Sequence, residues 1–141
     1  MENSIKFSKA YPLRILIAEP FQDSRSAAQD ILLELGYQPE LATSSRELLT
    51  MSTRKSYDVI LVDVRMPDAE FALASWLSDA ESRRPIFIAM TMAGRTNLKE
   101  IYLREGMDHS ISKPVDRVEL SLQLMACSVL TGNCRIRSVA G

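Results

Sequence analysis

The chain has 141 residues, is 46% hydrophobic and 25% charged, and carries a formal net charge of −1. That length suits one domain rather than two, and the balance is ordinary for a soluble globular protein. A charge so close to zero gives no long-range pull toward nucleic acid or an anionic membrane, and no apolar run approaches the roughly 20 residues of a membrane helix.

Residues 1–10 have no apolar signal core. Leu13 to Ala18, apolar on both faces, reads as a buried parallel strand. A helix follows from about Asp23 to Leu35, with Ala28, Ile31, Leu32 and Leu35 on one stripe and Gly36 as its stop. Gln38 to Ala42 is a weaker, polar strand suited to a sheet edge. Ser44 with Glu47 forms a capping-box pattern for a short helix. Val59 to Val62 is the third strand. Ala69 to about Ala80 is the next helix, carrying Phe71, Ala74 and Leu77. Ile86 to Met90 is the fourth strand, Thr96 to Arg104 a helix ended by Gly106, and His109 to Ser112 a short fifth strand. Asp116 and Glu119 are spaced to cap a last helix reaching about Leu130. Five strand–helix units imply a parallel sheet with helices on both faces. Residues 1–12 and 131–141 fall outside the repeat as tails. Cys127 and Cys134 have no metal-like spacing and, without an export signal, read as free thiols of a cytoplasmic protein.

Four polar residues stand at the ends of these strand runs: Glu19 after Ala18, Asp63 after Val62, Thr91 after Met90, and Lys113 in Ser112-Lys113-Pro114. The carboxyl ends of strands are where open α/β sheets do chemistry. Two acids, a hydroxyl and an ammonium gathered there are the parts needed to handle a phosphoryl group.

Taken in order, Glu19, Tyr57-Asp58-Val59-Ile60-Leu61-Val62-Asp63 with Met66-Pro67, Thr91, Gly106-Met107-Asp108 and Ser112-Lys113-Pro114 resemble the receiver domain of two-component response regulators. The resemblance spans about Leu13 to Leu130. It implies a flavodoxin-like (βα)5 three-layer sandwich with parallel strand order 2-1-3-4-5, whose switch point lies between the first and third strands. It also implies Asp63 as phosphoacceptor, and Lys113 and Thr91 as the ammonium and hydroxyl that bind the phosphoryl oxygens. The implied Mg²⁺ would be held by Glu19, Asp63 and the backbone carbonyl of Arg65, with the Arg65 side chain of little account. A cis bond at Lys113-Pro114 is implied as well. Implied partners are a histidine kinase or histidine phosphotransfer protein, a downstream protein, and a second copy of the chain, with no nucleic acid or membrane among them. The expected docking faces are the fourth helix, fifth strand and fifth helix, or the first-helix surface near Phe21 and Arg25.

This chain departs from the family pattern at four places. The usual second acid is Pro20, which offers no side-chain ligand, so Mg²⁺ binding is expected to be weak. The usual aromatic three residues before the lysine is Ser110, so the coupled hydroxyl–aromatic switch is degenerate. Met92 stands where a small residue is usual, and the loop after Pro67, Asp68-Ala69-Glu70-Phe71, lacks the usual glycine. Asp58 and His109 read as loop residues, Asp23 as a remote candidate acid, and Trp76 and the methionines as packing.

Only eleven residues follow Leu130, so the expected role is a single-domain receiver, not an enzyme, that accepts a phosphoryl group on Asp63 and acts through protein contacts. One alternative is a pseudo-receiver that works as a phosphorylation-independent interaction module. A haloacid dehalogenase-like phosphatase ranks below both, because such enzymes want a second acid two residues after the nucleophile and that residue is Arg65.

Overall fold

A parallel sheet covered on both faces needs strands that are apolar along their whole length. β1 (Ile15–Ala18) and β3 (Val59–Asp63) are buried at every residue. They lie side by side at the centre, with β2 (Glu40–Ala42) outside β1, and β4 (Ile86–Met92) and β5 (His109–Lys113) following β3. All four pairings are parallel and the order is β2-β1-β3-β4-β5, the flavodoxin-like arrangement. The computed structural model describes residues 6–70, 73–74, 84–92, 101 and 106–134. The sequence-expected helix from Thr96 to Arg104 lies outside the described residues except for a helical Ile101. Of the helix from Ala69, residues 69–70 and 73–74 are described as helical, while Phe71, Trp76 and Leu77 fall outside.

Strand alternation sorts the core into two layers. Leu16, Ala18, Ile60, Val62, Phe87 and Ala89 face one side and meet Leu48, Ala69 and Leu73. Ile15, Ile17, Val59, Leu61, Ile88, Met90 and Ile111 face the other and meet Ala28, Leu32, Leu120, Leu124 and Cys127. The second set comes from α2 (Gln22–Glu34) and the last helix, α4 (Arg117–Leu130); Leu48 comes from α3 (Ser45–Arg54). The caps follow the sequence pattern. Ser44 accepts the Glu47 N–H and Asp116 the Glu119 N–H, while the Glu47 carboxylate reaches back to the N–H and hydroxyl of Thr43.

The N-terminal tail is not idle. Residues Phe7–Ala10 form a short helix, α1, against the end of α2. Phe7 packs on Tyr11 and Tyr37, Tyr37 donates its hydroxyl to the Tyr11 carbonyl at 2.6 Å, and the Ser8 N–H reaches the Leu35 carbonyl at 3.0 Å. Gly36 turns α2 into this contact with φ +100°, and a Cβ there would sit 2.4 Å from Ser8 Oγ. Three aromatics scattered over thirty-one residues leave no periodic trace, which is why the sequence alone offers no packing role for this segment.

Candidate functional site

The alternation that builds the core also places the site. Glu19, Asp63 and Lys113 continue the series Ile15-Ile17, Val59-Leu61 and Ile111, so they emerge on the same side of the sheet. The Lys113 ammonium bridges the two acids, 2.6 Å from Asp63 Oδ2 and in direct hydrogen-bond contact with Glu19 Oε1. Both acids are fully buried and the Lys113 side chain is 8% exposed. The peptide Lys113-Pro114 is cis.

Each flank is pinned. The Glu19 N–H extends the β1–β2 pairing to the Ala42 carbonyl, and Arg25 from α2 holds the Glu19 and Pro20 carbonyls at 2.9 and 3.3 Å. Glu19 Oε2 accepts the Phe21 N–H at 3.1 Å, so its charge sits at the amino end of α2, where an anion is favoured. After Asp63 the chain turns at once. Met66 is fully buried, Ser45 donates to the Pro67 carbonyl, and Asp68 takes the left-handed region with φ +64°. Aspartate is among the few side chains that tolerate this conformation, so the turn keeps its path without the glycine.

This turn folds Arg65 back onto Asp63. Its backbone N–H lies 2.7 Å from Oδ1, its Nε 3.4 Å from the same oxygen, and its Nη2 3.2 Å from Oδ2. On the outer side the guanidinium lies 4.6 Å above the Phe21 ring, an attraction between cation and ring face. The expectation that the Arg65 side chain is of little account is therefore corrected: it is the second cation of the site. An arginine two residues past a strand-end acid is the one trace in the sequence, and it does not reveal the turn that folds the side chain back.

The acids respond in opposite directions. Burial raises the Glu19 carboxyl above its ordinary value, with the Asp63 charge adding to the rise, against the pull of the Lys113 and Phe21 hydrogen bonds. Burial opposes ionisation of Asp63 too. There the hydrogen bonds from the Arg65 side chain, Lys113 and the Arg65 N–H outweigh it and hold Asp63 below the usual carboxylate range.

The remaining candidates stand apart from this cluster. Thr91 lies inside β4 rather than past its end, on the alternation of Phe87 and Ala89, and is 8% exposed. Among the described residues its hydroxyl bonds none of Glu19, Asp63 and Lys113. Ser110 is an exposed β5 residue opposite Ala89, its carbonyl accepting from Gln123 at 3.0 Å. His109 opens β5 at the far end of the strand from Lys113. Asp58 accepts the Arg14 N–H at 2.7 Å. Met92 and exposed Asp23 line, with Ser24, Ala27, Lys113, Pro114 and Val115, a groove of about 310 Å³ beside the cluster. A larger groove, about 640 Å³, lies among Arg14, Tyr37, Glu40, Lys55 and Tyr57, residues that flank the amino ends of the strands, away from the acids. Among the described residues no group of three or more His, Cys, Asp and Glu is placed to hold a metal ion, and no helix is long and apolar enough to cross a membrane.

The response regulator receiver domain profile matches residues 15–124. Histidine protein kinase 1 of Candida albicans is 32% identical over 127 residues, covering 80% of this chain and 5% of its own length. The transcriptional regulatory protein PcoR of Escherichia coli is 32% identical over 108 residues, covering 76% of this chain and 47% of its own. The chain thus spans less than half the length of either relative. The receiver domain of the sensor histidine kinase PA1611 from Pseudomonas aeruginosa, solved with magnesium in its active site cleft, is similar at 28% identity and a TM-score of 0.73, over 83% of this chain and 98% of that one. A histidine kinase receiver domain from Syntrophus aciditrophicus is similar at 26% identity and a TM-score of 0.72, over 92% and 98%.

Proposed function

Because the chain belongs to the response regulator receiver domain family, we propose that residues 13–130 act as a receiver in a two-component phosphorelay, with Asp63 as the phosphoacceptor and protein contacts as the output. The observation that carries this reading is the buried Asp63–Lys113–Glu19 bridge at the carboxyl ends of β3, β5 and β1. The donor is a histidine kinase or a histidine phosphotransfer protein of the cytosol. Its docking surface is the half-exposed Phe21 with Arg25, at the start of α2, and the groove beside Lys113. As the donor docks, Arg65 leaves Asp63 and opens the carboxylate. The N–P bond of the phosphohistidine breaks while an Asp63 oxygen forms the new O–P bond. The imidazole nitrogen departs with the bonding pair, on a ring already protonated at its other nitrogen. Lys113 and Arg65 then bond the phosphoryl oxygens, and the Thr91 hydroxyl contributes only if the last residues of β4 shift toward the phosphoryl group. With Ser110 in place of an aromatic, no ring follows the hydroxyl inward. A downstream partner therefore meets a surface that exists before phosphorylation, and its affinity changes little.

The family's divalent cation does not fit the residues present. Every carboxylate oxygen already accepts an N–H: Glu19 Oε1 from Lys113, Glu19 Oε2 from Phe21, Asp63 Oδ1 from Arg65, and Asp63 Oδ2 from Lys113 and Arg65. Pro20 supplies no further oxygen from its side chain, and no step above passes through a metal. The same capping favours a second reading, in which the fold serves as a pseudo-receiver whose Asp63 stays paired and whose partner binds regardless. Incubation with a phosphorylated histidine phosphotransfer domain separates the two. Label moving from donor to chain, and lost with Asp63→Asn, supports the acceptor. Stable complex formation without transfer supports the pseudo-receiver.

A further inference from the structure

A receiver that binds Mg²⁺ needs an excess of negative charge at the metal position, because the ion brings two positive charges into a site with little water. At the Glu19 and Asp63 carboxylates that excess is offset. Glu19 and Asp63 supply two negative charges, and Lys113 and Arg65 supply two positive ones within hydrogen-bond range. The Arg65 guanidinium is held from both sides, by Asp63 beneath and the Phe21 ring above at 4.6 Å. Phe21 is fixed in turn through its N–H on Glu19 Oε2. A planar cation with two donors on one carboxylate spreads its charge over both oxygens, as an ion at that edge would.

We propose that Arg65, clamped between the Asp63 carboxylate and the Phe21 ring, replaces the divalent cation of this site, so that the Asp63 acceptor is charge-complete without a metal. The inference rests on the acceptor reading above. Arg65 is a positioning and charge-supplying residue here: it bonds both oxygens of Asp63 at rest and travels with the phosphoryl group after transfer. Pro20 and Arg65 are then two halves of one exchange. One takes away the acid that makes a metal necessary, and the other provides the charge that makes it redundant.

The charge count fixes an order that a purely structural role for Arg65 would not produce. MgCl2 is titrated into the full chain by calorimetry at constant ionic strength, for the parent, Arg65→Gln, Arg65→Lys, Pro20→Asp, and Pro20→Asp with Arg65→Gln; circular dichroism confirms that each is folded. The parent and Arg65→Lys show no saturation. Arg65→Gln and Pro20→Asp each gain Mg²⁺ affinity, about tenfold or more for one charge at ion-pair distance. The double variant, with two net negative charges, binds tightest. Saturable Mg²⁺ binding by the parent with an affinity that Arg65→Gln leaves unchanged would overturn the proposal. A second reading comes from acetyl phosphate labelling of the parent, followed by intact mass in EDTA and in MgCl2. Equal labelling in both supports the proposal, and labelling in MgCl2 alone contradicts it. Labelling in neither removes the acceptor reading, while the titration order still decides what Arg65 does.

Discussion

Asp58 and Asp108, at the amino ends of β3 and β5, each accept a backbone N–H from the start of another strand, Arg14 at 2.7 Å and Phe87 at 2.8 Å. Glu19 and Asp63, at the carboxyl ends of β1 and β3, instead face one another across a single ammonium. The first arrangement staples strands together with acids that keep some contact with water; the Asp58 and Asp108 side chains are 13% and 33% exposed. Glu40, near the same end, is held below its ordinary value by hydrogen bonds from Lys55 and Tyr57. The charge on Glu40 therefore favours folding at neutral pH. Glu19 does the reverse: burial works against its charge. A buried pair of like charges is poor evidence for stability and good evidence for a site that chemistry requires. The two ends of the sheet thus differ in how their acids are held: Asp58 and Asp108 each cap a backbone N–H at the amino end, while Glu19 and Asp63 share one buried ammonium at the candidate site.

The sharpest way to break this contrast is to remove the bridging cation. Lys113→Met leaves two buried acids, with Arg65 on Asp63 but no side-chain cation on Glu19, and is expected to cost about 3–5 kcal/mol in urea unfolding at neutral pH. At the amino end, Asp108→Ala removes the carboxylate that accepts the N–H of Phe87, a residue 1% exposed, and that pairs with Arg84. The expected cost is about 1–3 kcal/mol by the same measurement.

Glu19→Gln has a smaller effect whose sign depends on pH. Because the folded protein holds the Glu19 proton more tightly than the unfolded chain, this group's contribution is full below its ordinary value of 4.5 and is lost as pH rises through the raised folded value. Asp63 runs the other way: its contribution is present above its ordinary 3.8 and lost as pH falls through the lowered folded value. The variant should therefore gain on the parent as pH rises from about 4 to about 8, and a difference that moves the other way would sink the assignment. The smallest effect belongs to the exposed pair. Lys55→Ala breaks a contact of 2.7 Å to Glu40, but the Lys55 side chain is 65% exposed, so the cost is under about 1 kcal/mol and shrinks further in salt.

Much of the fold was legible because it rests on short-range signals. The all-apolar β1 and β3 mark themselves as central, the polar β2 marks itself as an edge, and Ser44, Asp116 and Gly36 punctuate their helices as their chemistry demands. Glu19, Asp63 and Lys113 were legible for a related reason: a polar residue at the end of a buried run stands out, and strand parity places all three on one side. Arg65 was not, because its importance comes from a turn that bends the chain back within two residues, and a single surface-type side chain gives no hint of that path. Thr91 was placed past the end of its strand because β4 runs two residues beyond the apolar stretch, to Met92, carried by pairing to Ser112 and Lys113. The Phe7–Tyr11–Tyr37 contact depends on residues far apart in sequence and has no local pattern at all.

Carbon-detected NMR titration of the side-chain carboxyls reads the contrast between the bridged buried acid and singly paired surface acids residue by residue. Glu19 should titrate above the ordinary glutamate value of 4.5, while Glu40 and Glu47 titrate below it, the latter through its bonds from Thr43. A Glu19 that titrates below 4.5 together with Glu40 and Glu47 would mean that Lys113 and the Phe21 N–H outweigh its burial. The carboxyl edge of the sheet would then be one more structural ion cluster rather than a site held against its own stability.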